Sequence, residues 1–333
     1  MLCSAQSHAE DQASKARISM LRSSLRMLAA FVAAATTAAN AQSGAWSSKA
    51  PMPAPVYEVA VAAVGDKVHV IGGSVLGVAG PYHLEYDIAK DTWRARAFLP
   101  KGLDHVGVTM LNGKIYTVGG FVATLHRDGQ NAAYEYDPAS DTWRILPLMK
   151  AGRGSVGVAA LGGKIHAVGG RNADGNVVTT HEVFDPTTNV WKELAPLPHA
   201  RDHTATVAID GKLHVIGGRT GASTDKTDLH DIYDPATDTW TSGPPLPTPR
   251  SGLAATVYKD MILVIGGELP PNTFAQNEAY DPKTRSWRAL APMPEGRHGT
   301  GAAVSGNNVY VAGGSLKPGN RGLTNELIVF TFP

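Results

Sequence analysis

Arginine returns at one address along this chain. Aligned on their Pro-rich lead-ins, six segments place Val56, Leu103, Arg153, Arg201, Arg250 and Arg297 at the same position. A guanidinium offers a planar fork that matches a carboxylate two bonds at a time. Four such groups brought together would make a basic funnel for a carboxylate or an acidic peptide. The competing reading is architectural: arginine at a repeating position can cap strand ends or pair with the Asp of a nearby turn. Arg171, Arg219 and Glu268 each follow directly on a Gly-Gly pair, and Glu58 stands two places beyond Val56. Glu58 and Glu268 are the carboxylates best placed to move a proton beside a basic clamp, although each also fits a solvated loop. No single residue can be named as catalytic.

The histidines carry a weaker signal. His105, His203 and His298 fall in or near the same segments, each in a different repeat. No His-x-His or His-x-x-x-His spacing unites them, so neither a metal site nor a cofactor is expected. Asp104-His105 and Asp202-His203 are neighbours in sequence, and neighbours on a strand point to opposite faces, which speaks against acid–base pairs. There is no phosphate-cradling loop, nucleophile elbow or zinc helix motif. Leu161-Gly162-Gly163-Lys164 reads as a hairpin turn.

These residues are positioned by a repeat. Gly-Gly pairs end apolar runs at residues 72, 119, 169, 217, 266 and 313, and the tryptophans stand at 46, 93, 143, 191, 240 and 287. Both series advance by 47, 50, 48, 49 and 47 residues. Two residue types marching in one period mark a repeat architecture. Each unit reads as four strands. A small-residue strand leads through Asn112-Gly113 or Asp210-Gly211, the chemistry of a two-residue hairpin, into an apolar strand ending in Gly-Gly. A variable loop follows. The third strand ends in Tyr-Asp or Phe-Asp, and Trp opens the fourth six residues after that Asp. A twisted four-stranded sheet buries both faces only by stacking radially on its neighbours, so the fold expected is an all-β propeller of six blades. The variable loops (residues 74–81, 121–131, 171–178, 219–227, 269–276 and 315–323) should gather on one face and shape a binding rim.

The ends predict how the ring closes. The last repeat stops after Glu326-Leu327-Ile328-Val329-Phe330 without a Trp strand, and the first has a spare one at Trp46. The strand around Trp46 should therefore complete the final blade.

The first forty residues differ. Arg17, Arg22 and Arg26 precede a small-residue apolar run over residues 27–38, and Ala39-Asn40-Ala41 follows. That is the pattern of a secretory signal peptide, expected over residues 1–41, with Met20 a more ordinary start than Met1 and the mature chain, residues 42–333, beginning at Gln42. Removing Lys15, Arg17, Arg22 and Arg26 together with Glu10 and Asp11 turns the formal charge of +1 into −1. A near-neutral chain has no global field for nucleic acid or anionic membrane. Cys3, the only cysteine, leaves with the segment. The mature protein is then expected to have no disulfide and no membrane span, and to be a monomer in the periplasm or the medium.

Gly-Gly after an apolar strand, then Tyr-Asp, then Trp six residues on, at a period near fifty, resembles the kelch repeat, over residues 46–333. The resemblance implies a kelch-type propeller, a fold shared by unrelated functions. Kelch domains of substrate adaptors bind acidic peptides through arginines at one mouth. A periplasmic sialic acid epimerase is similar in size, export and blade number. Galactose oxidase has a kelch-like propeller with a copper site and a Tyr–Cys crosslink, which a chain without cysteine cannot form. The expectation is a secreted binding module for a protein or an acidic carbohydrate at one channel mouth. The alternative is a sugar-acid epimerase acting on an N-acetylneuraminate-like substrate.

Overall fold

Positive backbone angles at Asp210 (φ 50°) and Gly211 (φ 71°) let the chain reverse in two residues. Strand Ala205–Ile209 thereby returns as Lys212–Ile216, with Ile209 opposite Lys212. The same pair of positive angles recurs at Asn112-Gly113, Gly162-Gly163 and Lys259-Asp260, while the turns of the first and sixth blades use a single one, at Gly65 and Gly306. The computed structural model describes residues 43–122, 126–222 and 224–332. The signal peptide expected over residues 1–41 and the mature start at Gln42 lie outside the described residues.

Residues Trp46–Thr331 form one compact unit. It holds six antiparallel four-stranded sheets, each running from an innermost strand outward. In the fourth blade the order is Ala205–Ile209, Lys212–Ile216, His230–Asp234 and Thr239–Ser242. The sixth blade takes its outer strand from the other end of the chain: Ala45–Lys49 pairs with Leu327–Thr331. The Trp46 ring packs 5.1 Å from that of Phe330, and Met52 and Asn325 exchange hydrogen bonds of 2.8 and 2.9 Å. The six-bladed ring closed by the N-terminal strand is thus as the repeat predicts.

The core is a set of layers between blades. One cluster joins Val61, Val70 and Tyr86 of the first blade to Ala303, Tyr310 and Val329 of the sixth. Similar clusters lie between the blades that follow. Tyr86 faces Trp93 across the outer strand pair, as Tyr233 faces Trp240. Each Trp indole also reaches backward to a carbonyl of the preceding blade: Trp143 to Ala97 at 2.8 Å, Trp240 to Ala195 at 2.9 Å, and Trp46 to Ala291 at 2.8 Å across the seam. The Asp after the aromatic serves the next turn, Asp87 accepting from the amides of Ala89 and Lys90.

The Gly-Gly pairs let adjacent blades touch backbone to backbone. A Cβ on Gly313 (φ 64°) would lie 2.5 Å from the Val56 carbonyl oxygen, and the next amide, Gly314 N–H, donates to that oxygen at 2.9 Å. Gly170, Gly218 and Gly267 make the same bond to the carbonyls of Arg201, Arg250 and Arg297.

Three blades carry a buried histidine pair between second and third strands. His69–His83, His166–His181 and His214–His230 meet at 3.0, 2.9 and 2.8 Å. Burial pushes these six down to about 4, 4, 4, 3, 3 and 4, so they are neutral core groups at ordinary pH. Among the described residues no helix is long and apolar enough to cross a membrane.

Candidate functional site

Two consecutive positions in each blade build the mouth of the channel. The first is held in a short antiparallel bridge to the residue after Gly-Gly. The bridged pairs are Tyr57–Ser74, Asp104–Phe121, Gly154–Arg171, Asp202–Arg219, Ser251–Glu268 and His298–Ser315. The second position is Glu58, His105, Ser155, His203, Gly252 or Gly299, and all six have φ between 50° and 63°. In that left-handed turn each amide points at the carbonyl of the neighbouring blade's residue. His105 donates to Glu58 (3.1 Å), Ser155 to His105 (3.0 Å), His203 to Ser155 (3.4 Å), Gly252 to His203 (3.1 Å), Gly299 to Gly252 (3.0 Å) and Glu58 to Gly299 (2.7 Å). The six form a closed girdle around a neck cavity of about 120 Å³. The innermost strands line a wider cavity of about 360 Å³ with small residues such as Ala62, Ala159 and Ala208.

The four aligned arginines are not in this mouth. Arg153, Arg201, Arg250 and Arg297 are among the most deeply buried side chains of the molecule, at 0–1 % exposure. Each turns into its own blade and meets a carboxylate there: Arg153–Glu182 (2.7 Å), Arg201–Asp231 (2.7 Å), Arg250–Glu278 (2.5 Å) and Arg297–Glu326 (2.7 Å). Arg153, Arg201 and Arg250 also donate to backbone carbonyls, as Arg201 does at Gly217 and Val215. The converging funnel expected of them is replaced by the architectural role, with the acid on the third strand, or just before it at Glu326, rather than in the Tyr-Asp turn. The two blades without the arginine corroborate this. Val56 shares a core cluster with Leu84, and Leu103 with Tyr134, which stand where Glu182 and Asp231 stand in their blades.

Arg171, Arg219, Glu58 and Glu268 do reach the mouth, and they are tied together. Asp202, fully buried, accepts from Arg171 Nε at 2.7 Å and from Arg219 Nε at 2.9 Å, and lies 3.2 Å from His203 Nδ1. Burial alone would raise its pKa, but His203, Arg219 and Arg171 hold it well below the usual carboxylate range. Glu58 lies 3.2 Å from His105 Nε2 and 3.6 Å from His298 Nδ1, and His298 Nε2 is 3.6 Å from Glu268. Glu268 in turn faces Lys226 Nζ at 3.5 Å, and that amine donates to Ser251 Oγ at 2.6 Å. Burial lowers the Lys226 pKa, with Glu268 opposing. At His105 burial also lowers, but Glu58 and Asp104 outweigh it and the pKa is raised. The mouth is therefore a lattice of alternating charge. Three cations, Arg171, Arg219 and Lys226, stand among four carboxylates, Glu58, Asp104, Asp202 and Glu268.

Two members were not singled out from sequence. Lys226 and His126 lie in the variable loops, and only the folded loops bring them over the neck. His126, His105 and His203 offer ligand nitrogens that all lie within 4.8 Å of one another. Spacing along the chain could not show this, since the three converge through ring closure and a loop of the second blade.

A family model for the KLHDC2/KLHL20/DRC7 kelch-repeats domain matches residues 105–314, well over half of the chain. The chain belongs to this kelch-repeat family. Kelch propellers generally serve as protein-interaction modules. No curated protein matches the kelch chain. A solved structure described as that of YjhT is similar, with a TM-score of 0.70 at 20% identity, covering 83% of this chain and 95% of that one. At that identity the likeness shows the shared propeller fold.

Proposed function

We propose that this kelch propeller is an exported, monomeric binding module that holds a protein or an acidic carbohydrate at the mouth above the Glu58 girdle. Loops of adjacent blades brace one another into a rigid wall around a charged floor, and that observation carries the reading. Arg171 donates to the Gly221 carbonyl of the next blade at 2.8 Å, and Thr273 to the Leu316 carbonyl at 2.9 Å. On the first-blade hairpin Leu76 and Val78 stand 81% and 64% exposed. A preformed wall with an apolar tip and a polar floor suits recognition at low ordering cost. Export is inferred from the Arg-flanked apolar run before Ala39-Asn40-Ala41.

One observation favours a second reading, a sugar-acid epimerase. Glu58, His105, His298 and Glu268 form a row of titratable groups beside Arg171 and Arg219. Such a row can hold a sugar carboxylate and relay a proton. Thermal melts with acidic and neutral oligosaccharides and acidic peptides test the first reading. A ligand at a hundredfold its Kd adds about 2.7 kcal/mol, and Glu268→Gln or Arg171→Ala should abolish the shift. A shift untouched by both variants would move the ligand elsewhere. Interconversion of N-acetylneuraminate anomers, followed by NMR and lost in Glu58→Gln, would establish the second reading.

A further inference from the structure

The three imidazoles at the neck form a nearly equilateral triangle. Ring centroids of His105, His126 and His203 are 4.9, 4.9 and 5.0 Å apart, and every pair meets edge on. Two of the rings are braced from behind. His105 Nδ1 lies 2.8 Å from Asp104 Oδ1, and His203 Nδ1 lies 3.2 Å from Asp202 Oδ1. At His203 a carboxylate beside Nδ1 leaves Nε2 turned inward to accept, the usual outer shell of a metal-binding histidine; at His105 Nε2 also faces Glu58 at 3.2 Å, so a metal there would take the place of that contact. A cationic group already sits between two of the rings. Arg219 Nη2 is 3.0 Å from His126 Nε2 and 3.1 Å from His203 Nε2. A guanidinium N–H can be held there only if both nitrogens accept.

We propose that His105, His126 and His203 form a binding site for a divalent transition metal of the zinc type, and that the Arg219 guanidinium occupies the metal's position in its absence. Three imidazoles with one position left over match the ligand set of an open zinc site. Two nitrogens bound tetrahedrally to one zinc stand about 3.4 Å apart at zinc–nitrogen distances near 2.1 Å, so movement of the rings by an ångström or so closes the set. Charge compensation is in place, with Asp104, Asp202 and Glu58 around the cluster. Arg219 keeps its Nε bond to Asp202 while its Nη2 swings away.

The test is calorimetric titration of the purified protein with zinc chloride, with metal content measured after dialysis. The expected result is one zinc per chain at micromolar or tighter Kd. Affinity should fall at least about tenfold in His126→Ala, whose loop position keeps folding intact, and by a factor of about 10 to 100 in Asp104→Asn. Removing the competing cation in Arg219→Gln should tighten binding. Undetectable binding to the wild-type protein at 0.1 mM zinc would overturn the proposal. So would equal affinity in wild type and His126→Ala.

Discussion

The backbone amide of Glu58 donates to the carbonyl of Gly299 at 2.7 Å, and this bond closes the girdle of six around the neck. The two residues belong to the first and the last blade. Their bond exists only because both sit in the left-handed region, Glu58 at φ 53° and Gly299 at φ 60°. A Cβ on Gly299 would lie 2.8 Å from Glu58 Cδ. Gly299→Val should therefore cost about 2 kcal/mol or more, from the strained backbone and the crowding together. For a domain of this size the melt should drop by about 4 °C or more. Ser155→Gly, which relieves a left-handed side chain, should leave the melt unchanged or raise it.

The seam is the second place to probe. Deleting residues 43–50 removes the Trp46 indole bond to Ala291 and the packing on Phe330, and bares the Leu327–Thr331 strand edge. A bare edge invites pairing with another chain. The truncated protein should melt about 10 °C or more lower and elute from a sizing column as larger species.

The buried ion pairs make a third prediction. Arg201→Ala strands Asp231 in the interior, and breaking such a pair costs about 3–5 kcal/mol. The first blade shows the remedy, since Val56 and Leu84 stand there in place of Arg and Asp. Arg201→Val combined with Asp231→Leu should recover most of the loss in chemical denaturation, whereas two independent defects would add.

Acid sensitivity follows from the histidine pairs. Their folded pKa values, about 3–4, lie below the unfolded value of about 6.5. Above pH 6.5 both states are neutral at these sites and the stability is fully present. As pH falls toward 4 the unfolded chain takes up protons that the native state refuses, and stability is lost. By pH 5 the loss should be about 2 kcal/mol for each histidine. In the fifth blade Leu263 and Asn277 occupy the places of His166 and His181. Transplanting them, as His166→Leu with His181→Asn, should flatten the dependence of the melting temperature between pH 7 and 5.

Blade number, strand order and the closing strand were legible because Trp and Gly-Gly are required wherever blades stack, so the period repeats them. Side-chain direction was harder to read. An aligned arginine has an address, but only its partner says which way it points. A signal was present: Glu182, Asp231 and Glu278 each stand two places before the aromatic of the third strand, and where Arg gives way to Val56 or Leu103 the acid gives way to Leu84 or Tyr134. Lys226 and His126 left no such trace, because a loop that differs in every repeat has no internal copy to compare. Their position follows from the closed ring.

Because the last blade is assembled from both ends of the sheet succession, this array has no first or final repeat. An open stack of repeats can fray inward from a terminal unit and lose stability piecemeal. Here every blade has two neighbours, and melting any one of them severs the hoop for all. Denaturation should accordingly run as a single cooperative transition, with inner-strand amides in all six blades exchanging their hydrogens at nearly the same free energy.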